Sequence, residues 1–178
     1  MKREKLSMQQ LHRISVEEFK RSEKLNIRVV LDNVRSMNNV GSVFRTSDAF
    51  LIDRLYLCGI TPKPPHREIQ KTALGATESV DWTYFPQTVQ ALEELRKEDY
   101  TIYAVEQTTD SIMLNEFKPA KGEKIAVIMG NEVEGVSQSA LELCDKVVEI
   151  PQFGTKHSLN VSTSCAIVLW QIVSSVKY

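Results

Sequence analysis

Two apolar runs in the second half of the chain limit its fold most strongly. Residues 124–129 end in Gly130-Asn131-Glu132, and residues 146–150 end in Pro151-Gln152-Phe153-Gly154. Each reads as a buried strand that feeds a polar loop. In α/β sheets such strand ends are where ligands sit. With a third polar turn near Asn39, they suggest one site assembled from three separate places in the chain.

The rest of the sequence agrees with an α/β reading. Further strands are expected over 27–31, 54–58, 80–85 and 101–105. Between them fall helical patterns over 38–50, from about Pro86 to 98, and over 137–144, with a closing helix over 158–176. Asn38 or Asn39 suits the cap of the first of these helices. Its inward set is Val40, Val43, Phe44, Ser47, Phe50 and Leu51. Residues 1–26 read as a helical lead-in, with Ser15 and Glu18 as a capping box. Residues 59–79 hold Pro62, Pro64 and Pro65 and are expected to be irregular. Strands alternating with helices give a mostly parallel sheet flanked by helices.

At 178 residues, with 42% apolar and 25% charged side chains, the chain is expected to form a single soluble domain. No run approaches the ~18 apolar residues of a membrane span. The charged start lacks the apolar core of a signal peptide, so a cytoplasmic location is expected. Cys58, Cys144 and Cys165 are far apart and read as free thiols. His12, His66 and His157 lack metal-ligand spacing, so no metal is expected. The net charge of −1 is unevenly spread: residues 1–28 hold eight Lys or Arg against four Glu. Any nucleic-acid contact would therefore use a local patch, although such a run equally suits a solvated surface.

The sequence holds no G-x-G-x-x-G, no phosphate-binding P-loop and no G-x-S-x-G elbow. What remains are the three polar turns. Asn38-Asn39-Val40-Gly41-Ser42-Val43-Phe44-Arg45 opens a helix, whose free N–H groups attract anions, and Arg45 offers a planar fork for phosphate. Gly130-Asn131-Glu132-Val133-Glu134-Gly135 lets backbone approach a ligand closely. Ser158-Leu159-Asn160-Val161-Ser162 alternates polar and apolar groups at a helix entrance. Each also suits plain capping or a plain turn.

In order and spacing, these segments resemble the SpoU or TrmH-like branch of the SPOUT methyltransferases. The likeness rests on Asn39 and Arg45, on Gly130-Asn131-Glu132 with Gly135, and on Ile150-Pro151, Gly154 and Ser158–Ser162. Thr72-Ala73-Leu74-Gly75-Ala76 adds to it, and it covers roughly residues 27–175. The resemblance implies a SPOUT domain over 27–178, behind a basic helical extension over 1–26, with a C-terminal deep trefoil knot. It implies a homodimer that binds S-adenosylmethionine in the knot and methylates a ribose 2′-hydroxyl of tRNA or rRNA. Asn39, Arg45, Glu132, Ser158 and Asn160 would form the catalytic group. Met129, Gly130, Asn131, Ile150, Gln152, Ser158 and Leu159 would hold the cofactor. RNA contact would fall to Lys2, Arg3, Lys5, Arg13, Arg67, Lys71 and Lys156, with Lys20, Arg21, Lys63 and His66 nearby. A non-catalytic RNA-binding relative, a SPOUT enzyme methylating a base nitrogen, and a plain nucleotide-binding module remain as alternatives.

Overall fold

The computed structural model describes residues 3–7, 9–120 and 122–177. Seven strands form one sheet in the order β3-β2-β1-β6-β4-β7-β5, and every neighbouring pair is parallel. They are β1 (Leu25–Asp32), β2 (Ile52–Cys58), β3 (Asp81–Phe85), β4 (Thr101–Val105), β5 (Ile112–Met113), β6 (Ile125–Met129) and β7 (Lys146–Glu149). The helices are α1 (Val16–Arg21), α2 (Met37–Ala49), α3 (Arg67–Ala73), α4 (Ala76–Ser79), α5 (Thr88–Lys97), α6 (Gln138–Leu141) and α7 (Val161–Lys177). The mostly parallel α/β sheet expected from the sequence is therefore present. Among the described residues no helix is long and apolar enough to cross a membrane.

Continuous apolar runs are what a parallel sheet covered on both faces requires. Every residue of β6 is buried. One face packs α2 and α7 through Val40, Val43, Phe44, Val168, Leu169 and Ile172. The other packs α5 through Ala91, Leu92 and Leu95. Strand register matters most for the site. Met129 pairs with both Leu31 and Val105, and Val105 pairs with Val148. Four neighbouring strands therefore stop at nearly one height, and the loops that follow them start side by side.

Several expectations need correction. Among the described residues, the lead-in is α-helical only over Val16–Arg21, with a 3-10 turn over Gln9–Leu11. The Ser15–Glu18 capping box closes that short helix. Residues 59–79 are not irregular throughout, because α3 and α4 form beyond the prolines. His66 Nδ1 accepts from the Glu68 N–H to start α3. α2 is capped by Ser36, which accepts from the Asn39 N–H at 3.3 Å, and not by Asn38 or Asn39. α7 starts at Val161 and not at Ser158, with Asn160 Oδ1 accepting from the N–H groups of Ser162 and Thr163. The two-residue β5 is too short to carry a periodicity.

Burial pushes the thiols of Cys58, Cys144 and Cys165 up to about 12, so they stay protonated. At the opposite end of the sheet, Arg28 bonds Asp53 at 2.6 Å, Glu98 at 2.8 Å and the Tyr56 hydroxyl at 2.9 Å. This group staples the strand beginnings and leaves the other end free for loops.

Gly41 lies where α2 crosses α3. A Cβ there would sit 2.3 Å from the Ile69 carbonyl oxygen and 2.1 Å from Thr72 Oγ1. Gly41→Ala is expected to destabilise the protein by about 1–3 kcal/mol through overpacking. A denaturant midpoint measurement checks this, and an unchanged midpoint would show that α2 and α3 can separate freely.

Candidate active site

The loop after β6 turns tightly. Asn131 and Gly135 exchange two backbone hydrogen bonds, of 2.9 and 3.0 Å. Asn131 Oδ1 accepts from Val133 and Glu134, and its Nδ2 donates to the Asn33 carbonyl at 2.7 Å. Gly135 has φ +71° and lies against Glu106 Oε2, so a side chain is excluded there twice over. Buried Asp32 anchors the loop end by accepting from the Ser137 N–H at 2.7 Å and from the Thr88 hydroxyl.

The turns from three parts of the chain meet in one directed hydrogen-bond chain. Asn160 Nδ2 donates to Asn39 Oδ1 at 3.0 Å, and Asn39 Nδ2 donates to Glu132 Oε1 at 3.1 Å. Glu132 also accepts from the backbone N–H groups of Ser36 and Arg35, each at 3.0 Å. Partners 93 and 121 residues apart thus fix both amide orientations. Partial burial works against the charged form of Glu132. The Arg35 and Ser36 amides and Asn39 outweigh it and hold the carboxyl below its ordinary value.

Beside this chain opens a cleft of about 610 Å³, within the usual range of small-molecule sites. Met129, Gly130, Asn131, Ile150, Gln152, Ser158 and Leu159, the seven residues expected to hold a cofactor, all line it. Glu132 and Asn160 line it too, and Asn39 joins them through its hydrogen bonds. The apolar wall comes from Val105, Met129, Val136, Leu141 and Ile150. Among the described residues, the Ser158 side chain has no hydrogen-bond partner within the chain.

Arg45 is not brought to this cleft. It is exposed on α2 and has no partner among the described residues. Six residues beyond Asn39 is about 600° of helical turn, so the two side chains leave α2 on different sides. The expected RNA contacts come from separate segments of the chain. Arg3, Lys5, Arg13, Arg67, Lys71 and Lys156 are exposed, and Lys2 lies outside the described residues. Lys71 pairs with Glu68 at 3.8 Å, and Lys63 lies 3.8 Å from the centre of the Tyr84 ring. No group of three or more His, Cys, Asp and Glu among the described residues is placed to share a metal ion.

Sequence reasoning missed the end of β4. Glu106, Gln107 and Thr108 form a further wall of the cleft. Glu106 accepts from the Val136 N–H at 3.0 Å, and Gln107 Nε2 donates to the His157 carbonyl at 3.1 Å. The strand over 101–105 was legible, and the strand-end rule applied to the other loops points here as well.

Polar loops at the carboxyl ends of a parallel α/β sheet, converging on a cleft with an apolar wall, are the arrangement in which such sheets bind nucleotides and cofactors. The chain belongs to the SpoU rRNA Methylase family, whose profile matches residues 26–170. It is 30% identical over 156 residues to the tRNA (guanosine(18)-2′-O)-methyltransferase of Thermus thermophilus, covering 88% of this chain and 78% of that one. It is 31% identical over 145 residues to the 23S rRNA (guanosine-2′-O-)-methyltransferase RlmB of Neisseria meningitidis, covering 79% of this chain and 55% of that one. The solved TrmH/SpoU tRNA modifying enzyme of A. aeolicus superposes with a TM-score of 0.78 at 26% identity, covering 90% of this chain and 79% of that one.

The lowered value of Glu132 has a direct consequence. A carboxyl depressed by folding contributes above its unfolded value, and the contribution is lost as pH falls through the folded value. The Arg35 and Ser36 amide resonances are expected to hold steady through the ordinary carboxylate range and to shift only below it. In Glu132→Gln this transition should vanish. Titration of both amides at ordinary carboxylate pH would contradict the charged anchor.

Proposed function

We propose that the protein transfers a methyl group from S-adenosylmethionine to a ribose 2′-hydroxyl of structured tRNA or rRNA. The observation that carries this reading is the Asn160–Asn39–Glu132 chain beside the apolar-walled cleft. Membership of the SpoU rRNA Methylase family supports it, as do relatives named as tRNA and rRNA 2′-O-methyltransferases. The cleft fits the cofactor in chemistry and size. Adenine needs apolar walls and backbone edges, and both are present around Met129, Gly130, Ile150 and Leu159. When bound, the cofactor supplies an electrophilic methyl on a sulfonium sulfur.

Methyl transfer to oxygen needs that oxygen held in line with the methyl, and its proton leaves to solvent as the new bond forms. Ser158 and Asn160, which line the cleft, position the sugar. Glu132 fixes Asn39, which fixes Asn160, so the group is set before substrate arrives. A guanidinium stays protonated at ordinary pH, which suits Arg45 to clamping a phosphate and stabilising oxyanion charge rather than to acting as a base.

Its distance from its own cleft suits an Arg45 that serves the cleft of a second copy. A homodimer would also cover an apolar face on α7, where Ile167 and Trp170 are 38% and 53% exposed. Trp170 packs near Phe50 at the end of α2, with ring centres 6.0 Å apart. In this reading the chain from 150 onward forms the trefoil knot of domain 27–178. Residues 1–26 add a basic extension, and the protein works in the cytoplasm. Arg3, Lys5, Arg13, Arg67, Lys71 and Lys156 supply phosphate contacts for RNA recognised by shape and loops, with Lys2 added to that set.

Incubation with S-adenosylmethionine labelled in its methyl group and total RNA is expected to yield alkali-resistant labelled dinucleotides, the mark of ribose methylation. Label in alkali-sensitive nucleotides would indicate base methylation, and no label would favour a binding protein. Arg45→Lys is expected to lower kcat by roughly 10- to 100-fold, because an ammonium cannot replace a bidentate fork. Near-full activity of that variant in a steady-state assay would argue against the clamp.

A further inference from the structure

Glu106 is a carboxylate in the cleft wall that the proposed catalytic group does not use. It stands directly after β4, next to the ends of β6 and β7. Its Oε1 accepts from the Gln107 N–H at 2.8 Å, and its Oε2 accepts from the Val136 N–H at 3.0 Å. The Gly135 backbone abuts Oε2, so the side chain is held on both sides of the loop turn. An ionised carboxylate has about four lone-pair directions. Two are taken here, and each oxygen keeps capacity for a further donor.

The place of Glu106 along the wall narrows what that donor is. Its own Oε2 bonds the N–H of Val136, which belongs to the apolar wall. Its neighbour Gln107 bonds the carbonyl of His157, the residue before Ser158 in the loop that leads to Asn160. A nucleoside with a reactive 5′ substituent that sets its base against apolar lining and its reacting group beside the polar side chains has its ribose in between. The 2′- and 3′-hydroxyls are adjacent donors, and a carboxylate takes two such donors through charge-assisted bonds. We propose that Glu106 accepts the ribose hydroxyls of the methyl donor's adenosine and so selects a ribonucleoside at this site. This rests on the reading of the cleft as the donor site.

Gln107 completes the arrangement. By donating to the His157 carbonyl it ties the β4 end to the loop that carries Ser158 and Asn160, while Glu106 ties it to the loop that carries Glu132. Donor recognition and spacing of the catalytic loops therefore share one dipeptide.

Calorimetry with S-adenosylhomocysteine and its 2′,3′-dideoxy analogue tests this on the full chain. The unaltered protein is expected to bind the analogue roughly 10- to 100-fold more weakly, because loss of the hydroxyls leaves the two remaining lone-pair directions of the carboxylate covered by ligand but without donors. In Glu106→Gln and Glu106→Ala the penalty for removing the hydroxyls should shrink to less than about threefold, with weaker binding of the parent compound. Near-ultraviolet circular dichroism checks that both variants fold. If neither folds, the unaltered protein decides alone, and equal affinity for the two compounds overturns the proposal. Tight binding of S-adenosylhomocysteine with the same penalty in parent and variants overturns the role of Glu106 and leaves the donor site standing. Failure of the unaltered protein to bind either compound overturns the donor site and this inference together.

Discussion

The alignment of strand ends at Leu31, Met129, Val105 and Val148 is the constraint on which the site depends. Parallel strands buried on both faces leave little freedom in register, since a one-residue slip would turn core side chains the wrong way. With the register set, loops far apart in sequence emerge at one level. Asp32 to Ser36, Gly130 to Ser137, Glu106 to Thr108 and Ile150 to Asn160 then lie close enough to exchange hydrogen bonds. Those bonds are what remain once the sheet has placed the backbones.

The site is held almost wholly by side-chain amides and carboxylates bonding to main chain. Asn131 organises its own turn and ties it to the loop after β1. Asn160 caps α7 with its oxygen and reaches Asn39 with its nitrogen. Glu132 takes two backbone amides and one side chain. Each residue therefore serves both local structure and the proposed chemistry, which explains why each motif alone looks like ordinary capping. Among the described residues, Ser158 and Arg45 are the members of the expected catalytic group without internal partners.

Much of this was legible in the residues. The strands over 27–31, 54–58, 101–105 and 124–129 follow from apolar runs of strand length, and the structure extends or trims them by a residue or two. The convergence of Asn39, Glu132 and Asn160 follows from reading each as a polar turn after or near a buried strand. Other features were not legible. Ser36 takes the capping role and Asn39 lies inside α2 with its side chain bonded to Glu132 and Asn160, distant partners that no local pattern displays. The short α3 and α4 follow three prolines, and α3 rests on a histidine cap, an uncommon choice. Glu106 sits after a strand that was recognised, but nothing next to it in sequence marks it as part of a cleft.

What the sequence by itself determined is the class of fold, the identity of the three polar turns and the family to which they belong, because these depend on periodicity and on residue types at fixed local spacing. Only the tertiary structure decided which of those residues touch. It joined Asn160 to Asn39 and Asn39 to Glu132, placed Glu106 and Gln107 between the two loops, and kept Arg45 away from its own cleft. The physical reason is that contact across a hundred residues is set by strand order and register, and these are properties of the whole packed sheet rather than of any segment in it.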